Sequence, residues 1–209
     1  MHRKKSRSGS LNAYLLDLLE GHMEKAYGER KRSVFAKLPA EIVEIGPGTG
    51  ANFRYFSPGT KLIAIEPNPS MHPYLVENAA RYGIKIEIRG IHGEELDLPS
   101  QSAEAVVGTL VLCSVESPSK VAEEVYRILK PGGRYIFLEH VAAQEGSHLR
   151  SFQNLIRKPW HWLFDGCNLN RDTHSLLLNS GFSTVDMDCF MLRPRLTPVT
   201  PHIFGLAVK

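Results

Sequence analysis

From about residue 40 onward, apolar positions gather in short runs separated by longer stretches with helical spacing. The runs are EIVEI (41–45), KLIAIE (61–66), IKIEIR (84–89), AVVGTL (105–110) and RYIFLE (134–139), then STVDMDCF (183–190) and HIFGLAVK (202–209). The early runs are apolar on both faces, as strands buried between two helical layers are. Ser70 is placed to cap a helix running toward Tyr82, with Gly83 positioned to end it. Ser117-Pro118 reads as a helix start, with proline at the first helical position where its missing N–H does no harm. Val121, Val125, Ile128 and Leu129 form the buried stripe of that helix, and Pro131 stops it. Asn179-Ser180-Gly181 ends a last helix before the two final strands.

This alternation predicts an α/β fold, with a doubly wound, mostly parallel seven-stranded sheet in one domain spanning 1–209. In such sheets ligands bind beyond the carboxyl ends of the strands. That rule selects the loops after Ile45, Ile65, Arg89, Leu110 and Glu139.

Two segments stand outside the alternation. In the N-terminal tail and helix (1–32), Leu11, Tyr14, Leu15, Leu18, Leu19 and Met23 share one helical face. That face is expected to pack on the domain, with a membrane-surface role as the alternative. Residues 144–170 form an insertion before the last helix. Within it Leu149, Phe152, Ile156, Trp160 and Leu163 recur every three or four residues, with Arg150, Arg157 and Lys158 beside them. This amphipathic helix packs on the sheet edge or serves as a substrate lid that also touches a membrane surface.

Composition narrows the function classes. The net charge of +3 sits partly in the leader MHRKKSR, and no basic stripe is interleaved with aromatics, so no nucleic-acid partner is expected. Cys113, Cys167 and Cys189 are widely spaced and odd in number, which argues against a disulfide framework and for a reducing, cytoplasmic setting. The nine histidines show no ligand spacing, so the sequence predicts no metal centre. No apolar run approaches the length of about 20 residues that a membrane span needs.

The chemistry starts at EIVEIGPGTGA (41–51). Gly46, Gly48 and Ala51 fit the dinucleotide fingerprint, and Glu66, about 20 residues on, can accept both hydroxyls of a ribose. Neither feature separates a dinucleotide from S-adenosylmethionine. Glu44, two residues before Gly46, repels a pyrophosphate and suits a cationic sulfonium and ammonium. Pro47 removes a backbone donor that a phosphate would use. Both point to the methyl donor.

The ordered set EIGPGTG, IEPN, LPSQSAEAVVGTLVLCSV and LKPGGRYIFLEH resembles the successive motifs of class I S-adenosylmethionine-dependent methyltransferases, which are Rossmann-like. GTGANF, TLVLCSV, LEHVAA, PWHWLFDGCNL and PHIFGLAVK are similar to the methyltransferase-like protein 7 group, a membrane-associated branch whose animal members methylate alkyl thiols. The start of the chain departs from those members, lacking their long apolar anchor.

The resemblance implies that Glu44, Gly46, Pro47, Gly48, Thr49 and Gly50 surround the methionine moiety and that Glu66 holds the ribose. Pro67, Asn68 and Met71 would flank the adenine, Gly93 and Glu94 would reach its edge, and Thr109 and Leu110 would close the site. It implies a small hydrophobic acceptor, a thiol first, with an indole, phenol or quinone precursor methylated at carbon, nitrogen or oxygen as the alternative. For a thiol the enzyme must favour the thiolate, since a free thiol has a pKa of about 8.5. The candidate bases are His140, directly after the fifth strand, then His161 and Asp165 in the insertion. Cys113 reads as a pocket-wall residue.

Overall fold

The computed structural model describes residues 20–164, 166–192 and 198–209. The elements run α1 (Glu20–Phe35), β1 (Glu41–Ile45), β2 (Lys61–Ile65), α2 (His72–Tyr82), β3 (Lys85–Arg89), β4 (Ala103–Thr109) and α3 (Pro118–Ile128). They continue as β5 (Leu129–His140), α4 (His148–Leu163), α5 (Thr173–Leu178), β6 (Thr184–Met191) and β7 (Pro201–Val208). One seven-stranded sheet has the order β3-β2-β1-β4-β5-β7-β6, with β1 to β5 parallel and β7 antiparallel to both neighbours. The predicted mostly parallel sheet is therefore present, and its strand order reverses between β1 and β4.

Side chains alternate across the strands into two cores. Val43, Ile45, Val106 and Phe137 pack with Val121 and Val125 of α3 on one face. Ile42, Leu62, Ile136 and Leu138 pack with Tyr27 and Phe35 of α1 and Leu75 of α2 on the other. This alternation fixes where the two carboxylates embedded in apolar strands point. Glu44 shares a face with Ile42, toward α1, and Glu139 shares one with Phe137.

Several boundaries differ from the sequence reading, each for a local reason. Ser70 does not cap α2: Met71 is its N-cap with no side-chain bond, because Asn68 Oδ1 takes the Ser70 N–H in a turn before the helix. Gly83 ends α2 in the left-handed conformation, as predicted. Ser117 caps α3 by accepting from the Lys120 N–H. That helix stops at Ile128 rather than at Pro131, since Leu129 already pairs with Ala103 and opens β5. The N-terminal helix runs past residue 32 to Phe35. Its predicted apolar face at Leu11, Tyr14, Leu15, Leu18, Leu19 and the Met23 side chain lies outside the described residues.

The amphipathic stripe of α4 is split. Leu149, Ile156 and Trp160 are half-buried around a buried Gln153, while Phe152 and Leu163 face solvent. Spacing of 3.6 residues per turn carries those two positions off the inward face. Gln153 earns its place by donating to Pro198 O at 2.9 Å and accepting from the Ala143 N–H at 2.8 Å.

Candidate active site

The turn after β1 uses its backbone donors internally. The N–H of Gly46 bonds Ile65 O at 2.9 Å, that of Gly48 bonds Glu66 Oε2 at 3.1 Å, and that of Gly50 bonds Pro47 O at 2.9 Å. These three amides are thus engaged within the protein, and Glu44 brings negative charge to the turn, two features that disfavour a pyrophosphate. Gly46 and Gly48 both have positive φ, at +61° and +59°. A Cβ on Gly46 would lie 2.4 Å from a methyl of Val111, so this glycine allows the loops after β1 and β4 to touch. A Cβ on Gly48 would meet nothing within 4 Å. The turn is thus sealed on the Val111 side and open at Gly48.

Glu66 is buried at the end of β2. Its Oε1 accepts from the Asn68 N–H at 2.9 Å, and the His72 ring donates to its carbonyl at 2.9 Å. The carboxylate is held in place by the N–H groups of Gly48 and Asn68. Met71 is buried beside it, Asn68 is half-buried and Pro67 is exposed. Gly93 packs against Ile45, where a Cβ would come within 2.9 Å of the isoleucine. Glu94 accepts from the Ser117 N–H at 3.2 Å, so it ties the loop after β3 to the start of α3. Thr49 is buried, with its carbonyl bonded by Asn78 of α2 at 2.8 Å. Leu110 has φ +59°, an unfavourable conformation for a leucine, and its N–H bonds Leu138 O at 2.7 Å. Backbone strain of this kind concentrates at ligand sites.

Beneath the glycine turn lies a buried polar network that the sequence did not disclose. Asn52 Nδ2 donates to Glu44 Oε1 at 2.5 Å and to Thr109 Oγ1 at 2.9 Å, while Asn52 Oδ1 accepts from Lys31 Nζ at 2.7 Å. Lys31 comes from α1, three per cent exposed, with its ammonium above the rings of Tyr27 and Tyr55. Burial dominates both charges. It pushes Glu44 up to about 7 against the Asn52 bond and the pull of Lys31, and pushes Lys31 down to about 8 against the pull of Glu44. Glu44 Oε2 has no hydrogen-bond partner among the described residues. An uncompensated buried oxygen of this kind suits a bound cation.

A second cluster sits beyond β4, β5 and β7. Glu139 is fully buried and accepts from the N–H groups of Val111 at 2.9 Å, Leu112 at 3.0 Å and Cys113 at 3.4 Å. Burial raises its pKa to about 7, opposed by those bonds. His140 is buried, its Nε2 lies 3.1 Å from Cys167 Sγ, and its Nδ1 has no hydrogen-bond partner among the described residues. His202 stands opposite His140 on β7, donates from Nδ1 to Thr200 O and so accepts from the Tyr27 hydroxyl on Nε2. Burial lowers its pKa to about 4, which keeps it neutral. Arg171 donates to Leu112 O at 2.5 Å and Val115 O at 2.8 Å, within electrostatic reach of Cys113, Cys167 and Glu139.

Of the candidate bases, His140 reaches the carboxyl edge of the sheet. His161 is exposed on the last turn of α4, its ring beside Gly166. Asp165 lies outside the described residues. The residues missed by the sequence reading are Tyr27, Lys31, Asn52, Glu139, Cys167, Arg171 and His202. Glu139 had a signal, a carboxylate inside an apolar strand, the same mark that exposed Glu44. The sequence predicts no metal centre, yet Cys113, His140 and Cys167 bring one potential ligand atom each to within 4.8 Å of one another.

The chain matches the family described as methyltransferase domain over residues 43–137. It is 37% identical over 207 residues to thiol S-methyltransferase TMT1B of Rattus norvegicus, covering 94% of this chain and 85% of that protein. It is 36% identical to human thiol S-methyltransferase TMT1A, covering 86% of this chain and 78% of that protein. In fold it resembles a SAM-dependent methyltransferase from Thermotoga maritima, with a TM-score of 0.62 at 21% identity over 94% of this chain and 99% of that one. The [4+2]-cyclase SpnF superposes with a TM-score of 0.67 at 14% identity, covering 96% of each chain. The shared architecture therefore carries more than one chemistry.

Proposed function

We infer the acceptor from a premise about family: the chain belongs to the family of the thiol S-methyltransferases TMT1A and TMT1B, and is a class I methyltransferase that uses S-adenosylmethionine. We propose that it methylates a small hydrophobic thiol. The observation that carries this reading is the identity with thiol S-methyltransferases over nearly the whole chain.

The methyl donor, when bound, supplies an electrophilic methyl on a cationic sulfur. In this reading Glu66 orients its ribose hydroxyls, Gly48 leaves room for its chain, and Glu44 offers a buried negative oxygen to its cationic end. Asn68 and Met71 bound the adenine side, Gly93 lets the loop after β3 close on β1, and Leu110 with Thr109 lines the opposite wall. His140 accepts the acceptor's S–H proton on its unpartnered Nδ1, because Nε2 is turned to Cys167. The thiolate lone pair forms the new S–CH3 bond while the donor's S–CH3 bond breaks, its electron pair remaining on the departing thioether sulfur. Enclosure matters as much as proton transfer, since the donor is already activated and water must be kept out. The insertion 144–170 serves as the lid, with Trp160 reaching down to Cys167.

The outer face of α4 supports a peripheral membrane contact. Phe152, Leu155, Trp162 and Leu163 are exposed on it, with basic Arg157 and Lys158 on the same helix. No helix among the described residues is long and apolar enough to cross a membrane. Co-sedimentation with vesicles of anionic lipid tests the contact: Trp162→Ser with Leu155→Ser should lower the bound fraction, and unchanged binding would remove it.

A further inference from the structure

We propose that Cys113, His140 and Cys167 form a site for a thiophilic divalent cation such as zinc, whose fourth coordination position takes the acceptor sulfur. Only the identity of that fourth ligand rests on the thiol reading above.

Three separate parts of the chain supply the ligands: the loop after β4, the last residue of β5 and the loop after α4. Their ligand atoms lie within 4.8 Å of one another and all three residues are buried. An ion bonded at about 2.0 Å to nitrogen and about 2.3 Å to sulfur gathers such a set with small side-chain adjustments. Two cysteines and one histidine match zinc in softness and number. A set of three protein ligands leaves a fourth position for substrate, whereas closed structural sites use four.

The surroundings are those of a held site. The Trp160 indole N–H points at Cys167 Sγ from 3.3 Å, a donor of the kind that supports a bound thiolate. Asn168 uses its N–H, at 2.8 Å, and its Nδ2, at 3.3 Å, on the Cys113 carbonyl, so the two cysteine loops are knitted together. Glu139 spends its oxygens on the N–H groups of residues 111–113 and shapes the loop instead of ligating.

Charge then favours an anionic fourth ligand. Two thiolates cancel a divalent cation, and the Arg171 guanidinium, which Glu139 and Glu94 also face, is the cationic group beside them. It offers an acceptor thiolate on the ion a nearby counter-charge. When the acceptor binds there its S–H bond breaks, the pair stays on sulfur and the proton passes to bulk water; with the ion on Nε2, His140 is a ligand, and the base role given to it in the metal-free reading above passes to the ion. The metal thus supplies a thiolate near neutral pH, where a free thiol with a pKa of about 8.5 is mostly protonated.

The test uses the reduced, full-length protein titrated with Cd2+, followed by thiolate-to-metal charge-transfer absorbance, with Zn2+ as competitor. One ion per chain is expected. Cys113→Ser and Cys167→Ser should each weaken it at least about tenfold, while Cys189→Ser, which alters the exposed cysteine of β6, leaves it unchanged. Circular dichroism and S-adenosylmethionine binding identify the variants that remain folded, and Cys113→Ala provides a second route. Adding an alkanethiol should shift the charge-transfer band of the loaded protein. Absent binding, or binding that survives both cysteine variants, overturns the site. An unshifted band overturns its open position. Thiol methylation at an undiminished rate after chelation would leave the acceptor reading intact and remove the metal from it. A loaded site with no thiol turned over would do the reverse.

Discussion

Lys31 and Glu44, buried on different elements, are joined through one side chain: Asn52 accepts from Lys31 at 2.7 Å and donates to Glu44 at 2.5 Å. The link ties α1 to the floor of the glycine turn. Asn52→Ala leaves a buried cation, a buried carboxylate and the Thr109 hydroxyl without their shared partner. The expected loss is on the order of 3 kcal/mol of unfolding free energy, the range for breaking a buried charge network. Denaturant unfolding measures it, and a loss below about 0.5 kcal/mol, the scale of a surface substitution, would show that the network is not holding the helix.

Glu44 also sets a pH dependence. Its folded pKa is raised to about 7 by burial, so the stability it contributes is complete below about 4.5 and is lost as pH rises through 7. Glu139, raised to about 7 for the same reason, acts in the same direction. His202, lowered to about 4, opposes them, its share being present above about 6.5 and lost as pH falls through 4. The difference in unfolding free energy between the protein and Glu44→Gln isolates one term, and should move in favour of the variant between pH 5 and pH 8. A flat difference would mean that Glu44 is not desolvated.

Donor affinity should follow the same group with the opposite preference. The cationic donor needs the ionised carboxylate, so calorimetric affinity for S-adenosylmethionine should drop between pH 8 and pH 6, and Glu44→Gln should flatten the profile. A wild-type profile without slope would separate Glu44 from the ligand.

Gly46 and Gly48 differ in what their missing Cβ allows. Gly46→Ala drives a methyl into Val111 and should lower the melting temperature sharply. Gly48→Ala meets open space and carries only the strain of positive φ, about 1 kcal/mol, yet should cut donor affinity if, as proposed, the donor's chain uses that space. Equal effects of the two on both readouts would contradict this division.

Glu66→Ala should weaken donor binding at least about tenfold through loss of charge-assisted bonds to both ribose hydroxyls. Isothermal calorimetry reads it directly, and unchanged affinity would place the cofactor elsewhere.

The sheet was legible because parallel strands buried on both faces write continuous apolar runs, and the glycine turn after β1 because glycines and a misplaced carboxylate are local marks. What stayed hidden was assembled at long range. Lys31 and Asn52 are 21 residues apart, and Cys113, His140 and Cys167 are 27 residues apart at each step, so no motif joins them. Lys31 in particular sits in a run of charged residues, GERKRS, that reads as a solvated face. Its burial follows only from how α1 lies across the 3-10 turn at Phe53–Tyr55, where Glu24 also meets the Tyr55 hydroxyl. The α4 stripe was legible only in part, for a different reason: three or four residues of spacing does not say which side of the stripe faces inward.

The most direct test of the central claim is product analysis. The purified protein is incubated with methyl-labelled S-adenosylmethionine and a panel of hydrophobic thiols, phenols and indoles, and the products are read by mass spectrometry. The account predicts label on the sulfur of an alkyl thiol, with turnover lowered by at least about tenfold in His140→Gln. Label on carbon, oxygen or nitrogen, with every thiol unmodified, would contradict it.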